Sequence, residues 1–374
     1  MRILIAPDKF KGSLTAAEAA AAIAEGALRV YPDAVATQFP IADGGEGTLE
    51  AAVAAGYAER LNAVVGPILA PVGAAWALGT DDAGTVTAVI ETAQASGLAS
   101  MEPTPANALR AHSYGCGQLI AAALEAGATE IVLGLGGSAM TDGGSGALRA
   151  LGLKPLDSAG NVVPLGGGSL ADIVGLDTSG LDPRLAATTF RIAVDVRNPL
   201  YGADGAAHVF GAQKGADADA VEVLDAGLRN WASILRQATG RDVNVPGAGA
   251  AGGFPASFLA FTGAELEGGF ALVAGLTGLA DQLAGADLVI TGEGSMDSQS
   301  LTGKAPIALA DAARDRGIPV IVVAGRILVT PEELAQHGVV AAAQLLDVAQ
   351  SPEDAVAHAA KYLAWATSQV LEGA

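Results

Sequence analysis

Five short segments gather charged side chains among glycines, each directly after an apolar run. In "APDKFKGS", Asp8, Lys9 and Lys11 stand just ahead of Gly12, Ser13 and a helix start. Free backbone N–H groups and two ammonium groups together make an anion site, although the same loop is also readable as a solvated turn capped by Asp8 and Ser13. In "PIADGGEGT" two glycines separate Asp43 from Glu46. Carboxylates held that close repel unless a cation, a proton or a lysine lies between them, and the plainer alternative is an Asp-Gly turn. The third segment, "IVLGLGGSAMTDGGSG", offers the N–H groups of Gly136, Gly137 and Ser138 to phosphate oxygens and contains a single acid, Asp142. In "AVDVRNPLYG", Asp195, Arg197 and Asn198 share a strand end, where Arg197 either grips a carboxylate or phosphate or pairs with Asp195. The fifth, "TGEGSMDSQSLTGKAP", supplies Glu293, Ser295, Asp297 and Lys304.

Known glycine motifs fit poorly. "GLGGSA" has the G-x-G-x-x-A spacing of a dinucleotide loop, but the acid at the ribose position, Asp157, follows Pro155, which spoils the required strand. The "TGK" of the fifth segment lacks the first glycine and the final Ser or Thr of a Walker A loop. No nucleophile stands beside a base. Cys116 reads as a small buried residue, and His112, His208, His337 and His358 are scattered without metal-ligand spacing. Lysines, bare backbone, carboxylates and an arginine, with no covalent nucleophile, suit phosphoryl transfer, a reaction served by positioning, charge neutralisation and a metal. Carboxylates such as Asp43, Glu46 or Asp297 are the candidates to hold magnesium, directly or through waters.

The elements that must carry these loops alternate strand, loop and helix. "RILIA" leads into the first loop and a helix whose "TAAE" has capping-box spacing. "AVATQFPIA", "EIVLGLG", "FRIAVDV" and "ADLVITG" read as strands feeding the other four, and "IPVIVVAG" as one more. Such alternation predicts an α/β protein with mainly parallel sheets, whose ligands bind beyond the carboxyl ends of the strands. Residues 76–92 alternate like antiparallel strands, and 152–185 are irregular. The expectation is two domains: one from both termini, 1–64 with 286–374, and a second α/β domain, 65–285, inserted into it, with the active site in the cleft between them. Phe254, Phe258 and Phe261 have helical spacing and are expected in the core.

The chain has 374 residues, 51% of them hydrophobic, which argues against disorder. A formal charge of −20 disfavours nucleic acid and anionic membranes as partners. With one cysteine, no disulfide framework forms within a chain. The apolar run before Pro7 is too short for a signal peptide and no run reaches the length of a membrane helix, so a cytoplasmic protein is expected.

Taken in order, "APDKFKGSLTA", "PIADGGEGT", "LGLGGSAMTDGGSGAL", "DVRNPL", "VFGAQKGA", "GAGAAGGF" and "ITGEGSMDSQSLTGKAP" resemble the bacterial type-1 glycerate kinases over essentially the whole chain. That resemblance implies a flavodoxin-like domain interrupted by a second α/β domain, and ATP-dependent phosphorylation of D-glycerate, to 2-phosphoglycerate in bacterial members. Cys116 departs from the small hydroxyl residue expected there. Carried onto this sequence, the implied roles are Asp195 as general base, with Lys9 and Arg197 catalytic. Lys11, Asp43, Asn198, Glu293, Ser295 and Asp297 would meet substrate; Gly136, Gly137, Ser138 and Asp142 would meet nucleotide; Asp43 and Asp297 would meet Mg2+. The expected partners are D-glycerate and ATP, with a homodimer allowed. The competing readings are a kinase of another hydroxy or sugar acid, a non-catalytic phosphate-ligand sensor and, third, an NAD-linked oxidoreductase.

Overall fold

The computed structural model describes residues 1–373 and divides them into two compact units. Of the described residues, the first comprises 1–43, 50–55 and those from 270 onward, the second 44–49 and 56–269.

The first unit is built on a five-stranded parallel sheet. Its spatial order is Val35–Gln38, Arg2–Ile5, Leu288–Thr291, Val320–Ala324, Val339–Gln344. In chain order within this sheet that is 2-1-3-4-5, the flavodoxin-like arrangement. Strand alternation explains why both faces need helices. Ile3, Ile5, Ile290, Ile321 and Val323 pack on one face with the helices Ala16–Val30 and Ala359–Gly373. Leu4, Val289, Val320 and Val322 pack on the other, with Leu279, Leu283 and the helix Ala305–Arg314. The first helix begins as its sequence predicts: Thr15 and Glu18 cap each other reciprocally.

The second unit holds a six-stranded mixed sheet. Glu265–Glu267, Thr189–Ala193, Glu130–Gly134 and Val86–Glu91 run parallel, and Pro71–Thr80 and Ala58–Val65 continue antiparallel. One core surrounds Ile131, Leu133, Phe190, Phe254 and Phe258. Another surrounds Trp231, Leu224 and Leu228 of the helix Ala218–Thr239. Phe254 and Phe258 are fully buried as expected, and Phe261 packs at the edge of the second core.

Three stretches fall outside the expected boundaries, the shortest being residues 44–49, expected in the terminal domain but part of the second unit. Residues 58–64 were assigned to the terminal domain, but their backbone hydrogen bonds go to Val72–Leu78, which makes them an edge of the second sheet. Residues 270–285 were assigned to the insert, yet Phe270, Leu279 and Leu283 pack into the core containing Leu4 and Val289. In the two longer stretches burial partners distant in sequence decide membership. Among the described residues no helix is long and apolar enough to cross a membrane.

Candidate functional site

The first unit brings three of the five loops to one edge. The strand order of its sheet reverses between Arg2–Ile5 and Leu288–Thr291, and a crevice at such a switch point is where open α/β sheets bind ligands. Backbone contacts fix the loops there. The N–H of Asp8 donates to the Gly292 carbonyl at 2.9 Å, and Ile41 N–H to the Pro7 carbonyl at 3.1 Å. Gly325 N–H donates to Glu293 O at 3.0 Å. A Cβ on Gly292 would sit 1.8 Å from the Val323 carbonyl oxygen, so only glycine lets the strand ends approach this closely.

Four acids share this edge: Asp8, Asp43, Glu293 and Asp297. Asp8 is buried, and its carboxyl is pushed up from 3.8 to about 7. Burial is the main cause, Asp43 adds to it and Glu293 adds less, while the Lys9 N–H, donating to Asp8 Oδ1 at 2.7 Å, and the Lys9 ammonium oppose it. Glu293 is also buried and raised, chiefly by burial, with Ser300 and Lys304 working the other way and Asp297 and Asp43 adding to the rise. Its Oε1 is buried without a hydrogen-bond partner. A buried acceptor left open is costly, so it marks a place where a proton, a cation or a substrate hydroxyl completes the site.

Asp297 behaves differently. Burial works against its charge, but the backbone N–H groups of Ser300 and Gln299 hold its carboxyl below the usual range. Both donate to Oδ1, at 3.2 and 2.9 Å, so this oxygen caps the turn that follows. Ser295 is half-buried and accepts from Arg326 Nε at 3.3 Å. Lys9 is half-buried and Lys11 exposed.

The second unit collects the remaining residues at the carboxyl ends of its parallel strands. The loop 44–49 is docked there by Glu91, a buried acid whose Oε1 accepts from the N–H groups of Gly47 and Leu49, both at 2.9 Å. Gly136 packs backbone against backbone: a Cβ there would lie 2.8 Å from Gly45 Cα and 3.0 Å from Glu46 N. The Gly137 carbonyl accepts from Leu98 N–H, and Ser138 bridges to Gly97. Asp195 and Arg197 are exposed, and Asp195 Oδ1 accepts from Gly269 N–H at 2.8 Å. Asn198 spends its amide on the Asp204 carbonyl at 2.8 Å.

Asp142 is held inside its own unit. It is fully buried and accepts four hydrogen bonds, all from its own unit. Ser113 supplies two, N–H and Oγ–H, both at 2.8 Å to Oδ2; Gly146 N–H reaches Oδ2 and Gly144 N–H reaches Oδ1, each at 3.1 Å. The carboxylate ties the glycine loop to the start of the helix Tyr114–Glu125.

Sequence reasoning missed Asp8 as a titrating group, Glu91 as the anchor of a loop 42 residues upstream, and Lys214. Lys214 is buried, donates to the Met140 carbonyl at 2.6 Å and is pulled down to about 8 by burial, with Asp142 opposing. The one usable signal was Asp8 at a strand end. Cys116 is buried as expected, and burial pushes its thiol up to about 12, which leaves it inert.

Comparison with known proteins agrees with this architecture. The Glycerate kinase family profile matches residues 3–373. The chain is 46% identical to the glycerate 2-kinase of Escherichia coli K12 over 91% of its own length and 89% of that protein. It is 44% identical to the glycerate kinase of Bacillus subtilis 168, over 97% and 95% respectively. The crystal structure of a putative glycerate kinase 2 from Salmonella typhimurium LT2 superposes with a TM-score of 0.86 at 40% identity, covering 100% of this chain and 98% of that one.

Proposed function

The chain belongs to the glycerate kinase family, and from that premise we propose that it transfers the γ-phosphoryl group of ATP to D-glycerate, giving 2-phosphoglycerate. The observation that carries the mechanistic part is the buried Asp8, raised to about 7 at the reversal point of a flavodoxin-like sheet. A general base works best when its pKa lies near the working pH, and an attacking alcohol needs such a group to take its proton. Asp8 therefore replaces Asp195 as the preferred base. Asp195 is exposed, with one oxygen already held by Gly269 N–H. In this reading Lys9 and Lys11 offset phosphate charge, Arg197 holds the substrate carboxylate, and Ser295 and Asn198 orient substrate hydroxyls. Gly137 and Ser138 lie on the loop assigned to nucleotide phosphates, while Gly136 serves that loop by its close packing.

Magnesium is part of the proposal. Among the described residues no three His, Cys, Asp or Glu side chains form a preformed metal cage. A magnesium ion that arrives with phosphates needs only one or two carboxylates, and the open Oε1 of Glu293 beside Asp43 fits that requirement. Asp43 and Glu293 would hold it, rather than Asp297, whose Oδ1 caps a turn. Bound there, the ion would neutralise charge on the transferring phosphoryl group.

The test is ADP release with Mg-ATP across D-glycerate, L-glycerate, tartronate and sugar acids, with the product identified by phosphorus NMR. Turnover on D-glycerate giving a 2-phosphate is expected. No turnover on D-glycerate refutes the reading, and stronger turnover on a sugar acid moves the protein to the competing kinase.

A further inference from the structure

A second polar site lies in the second unit, in none of the five loops. A pocket of about 510 Å³ is lined by Arg110, His112 and Arg149 together with Ile68, Leu69 and Leu165. Its walls are built tightly. Gly166 adopts φ +105°, and a Cβ there would meet the carbonyl oxygens of Leu109 and Arg110 at 2.7 and 2.8 Å, which holds the segment 164–169 against the end of the helix Pro105–Arg110. Pro67 O accepts from His112 N–H at 3.0 Å and pins the segment carrying Leu69, a non-glycine residue at φ +73°. Strained backbone of this kind persists only where the surroundings enforce it.

The polar lining has one sign. Arg149 is half-buried and spends Nη1 on the Val163 carbonyl at 2.7 Å. Arg110 is exposed at the rim. His112 is 1% exposed. Tyr114 N–H donates to its Nδ1 at 3.3 Å, so the proton of the neutral ring sits on Nε2. Burial pushes this imidazole below its usual range, against the pull of Asp142, so the neutral form prevails at pH 7. The Nε2–H is then a buried donor, and it has no acceptor. A buried donor without a partner beside two guanidinium groups calls for a ligand that only accepts.

We propose that this pocket binds a small dianion, with its oxygens on Arg110, Arg149 and the Nε2–H of His112 and its body against Ile68, Leu69 and Leu165. The dianion is a phosphate ester or a dicarboxylate, since both present oxygen acceptors to a guanidinium fork. This inference does not depend on the reaction proposed above. Asp142 receives two hydrogen bonds from Ser113, the residue after His112, so an occupied pocket touches the segment that anchors the 136–146 glycine loop.

Calorimetric titration with inorganic phosphate and, separately, with malonate tests the proposal on three proteins: the parent, Arg110→Glu and Lys9→Ala. Arg110 is exposed, so Arg110→Glu is expected to keep the fold, which circular dichroism checks. At least one of the two anions is expected to bind the parent, to weaken at least tenfold in Arg110→Glu and to keep its affinity in Lys9→Ala. Phosphate alone binding identifies a phosphate ester, and malonate alone a dicarboxylate. Neither binding, or binding lost in Lys9→Ala and kept in Arg110→Glu, overturns the site. Tungstate soaked into crystals gives a second readout: an anomalous peak beside His112 Nε2 and Arg149 supports it, and a crystal with tungstate bound elsewhere only refutes it.

Discussion

Asp142 in the second unit and Glu293 in the first are both buried acids in glycine-rich loops after parallel strands, and they do opposite things. Asp142 has four hydrogen-bond donors on its two oxygens, while Glu293 keeps an oxygen with none. Neighbouring charge differs as well. Other carboxylates surround Glu293 and Asp8, and burial with mutual repulsion lifts both. Burial alone therefore does not mark a working group. What marks it is burial left unsatisfied, because the fold gives up stability there that a satisfied acid would supply.

Three substitutions sharpen that contrast. Asp142→Ala should cost the most, about 4 kcal/mol of stability, since it strands the donors of Ser113, Gly144 and Gly146 in the interior. Urea unfolding measures it; a loss under about 1 kcal/mol would mean that those bonds are not what holds the loop. Gly136→Ala comes next, at about 2 kcal/mol, because the new methyl meets backbone atoms of Gly45 and Glu46 that cannot swing away. The same unfolding experiment checks it, and no change would show that the 44–49 loop is free to move off.

Asp8→Asn should act on stability with reversed sign. An unfolded aspartate releases its proton near 3.8 and the folded Asp8 near 7. Between those values the folded chain holds the extra proton, so stability falls as pH rises through this window. Removing the carboxylate removes that fall. The variant should come close to the parent near pH 4 and exceed it by about 4 kcal/mol at pH 8 without ligands. A variant less stable at pH 8 would place Asp8 with Asp142 among the satisfied acids.

The alternation of strand and helix, the parallel sheets and the capping box at Thr15 were readable because each follows from local periodicity or spacing. Carboxylate crowding was half readable. Asp43 and Glu293 announced themselves in glycine loops, but Asp8 looked like a turn residue because its burial comes from strands some 280 residues away. Asp142 could not be judged from its own loop, since Ser113, 29 residues upstream, satisfies it. The same long-range dependence hid Glu91 and misplaced residues 58–64, whose partners lie across a hairpin whose tip was unreadable. His112 read as one scattered histidine, because nothing in the sequence shows that its Nε2 lacks an acceptor.

The central claim, that the buried and crowded acids of the first unit carry the chemistry, is tested most directly by the pH dependence of kcat/KM for D-glycerate in the parent and in Asp8→Asn. That parameter reports groups of the free enzyme. The parent should gain activity as pH rises through about 7, where Asp8 gives up its proton. Asp8→Asn should lose that limb and fall by a factor on the order of 10² or more, with Asp195→Asn falling less. Near-parent turnover in Asp8→Asn, with the limb still in place, would contradict the account.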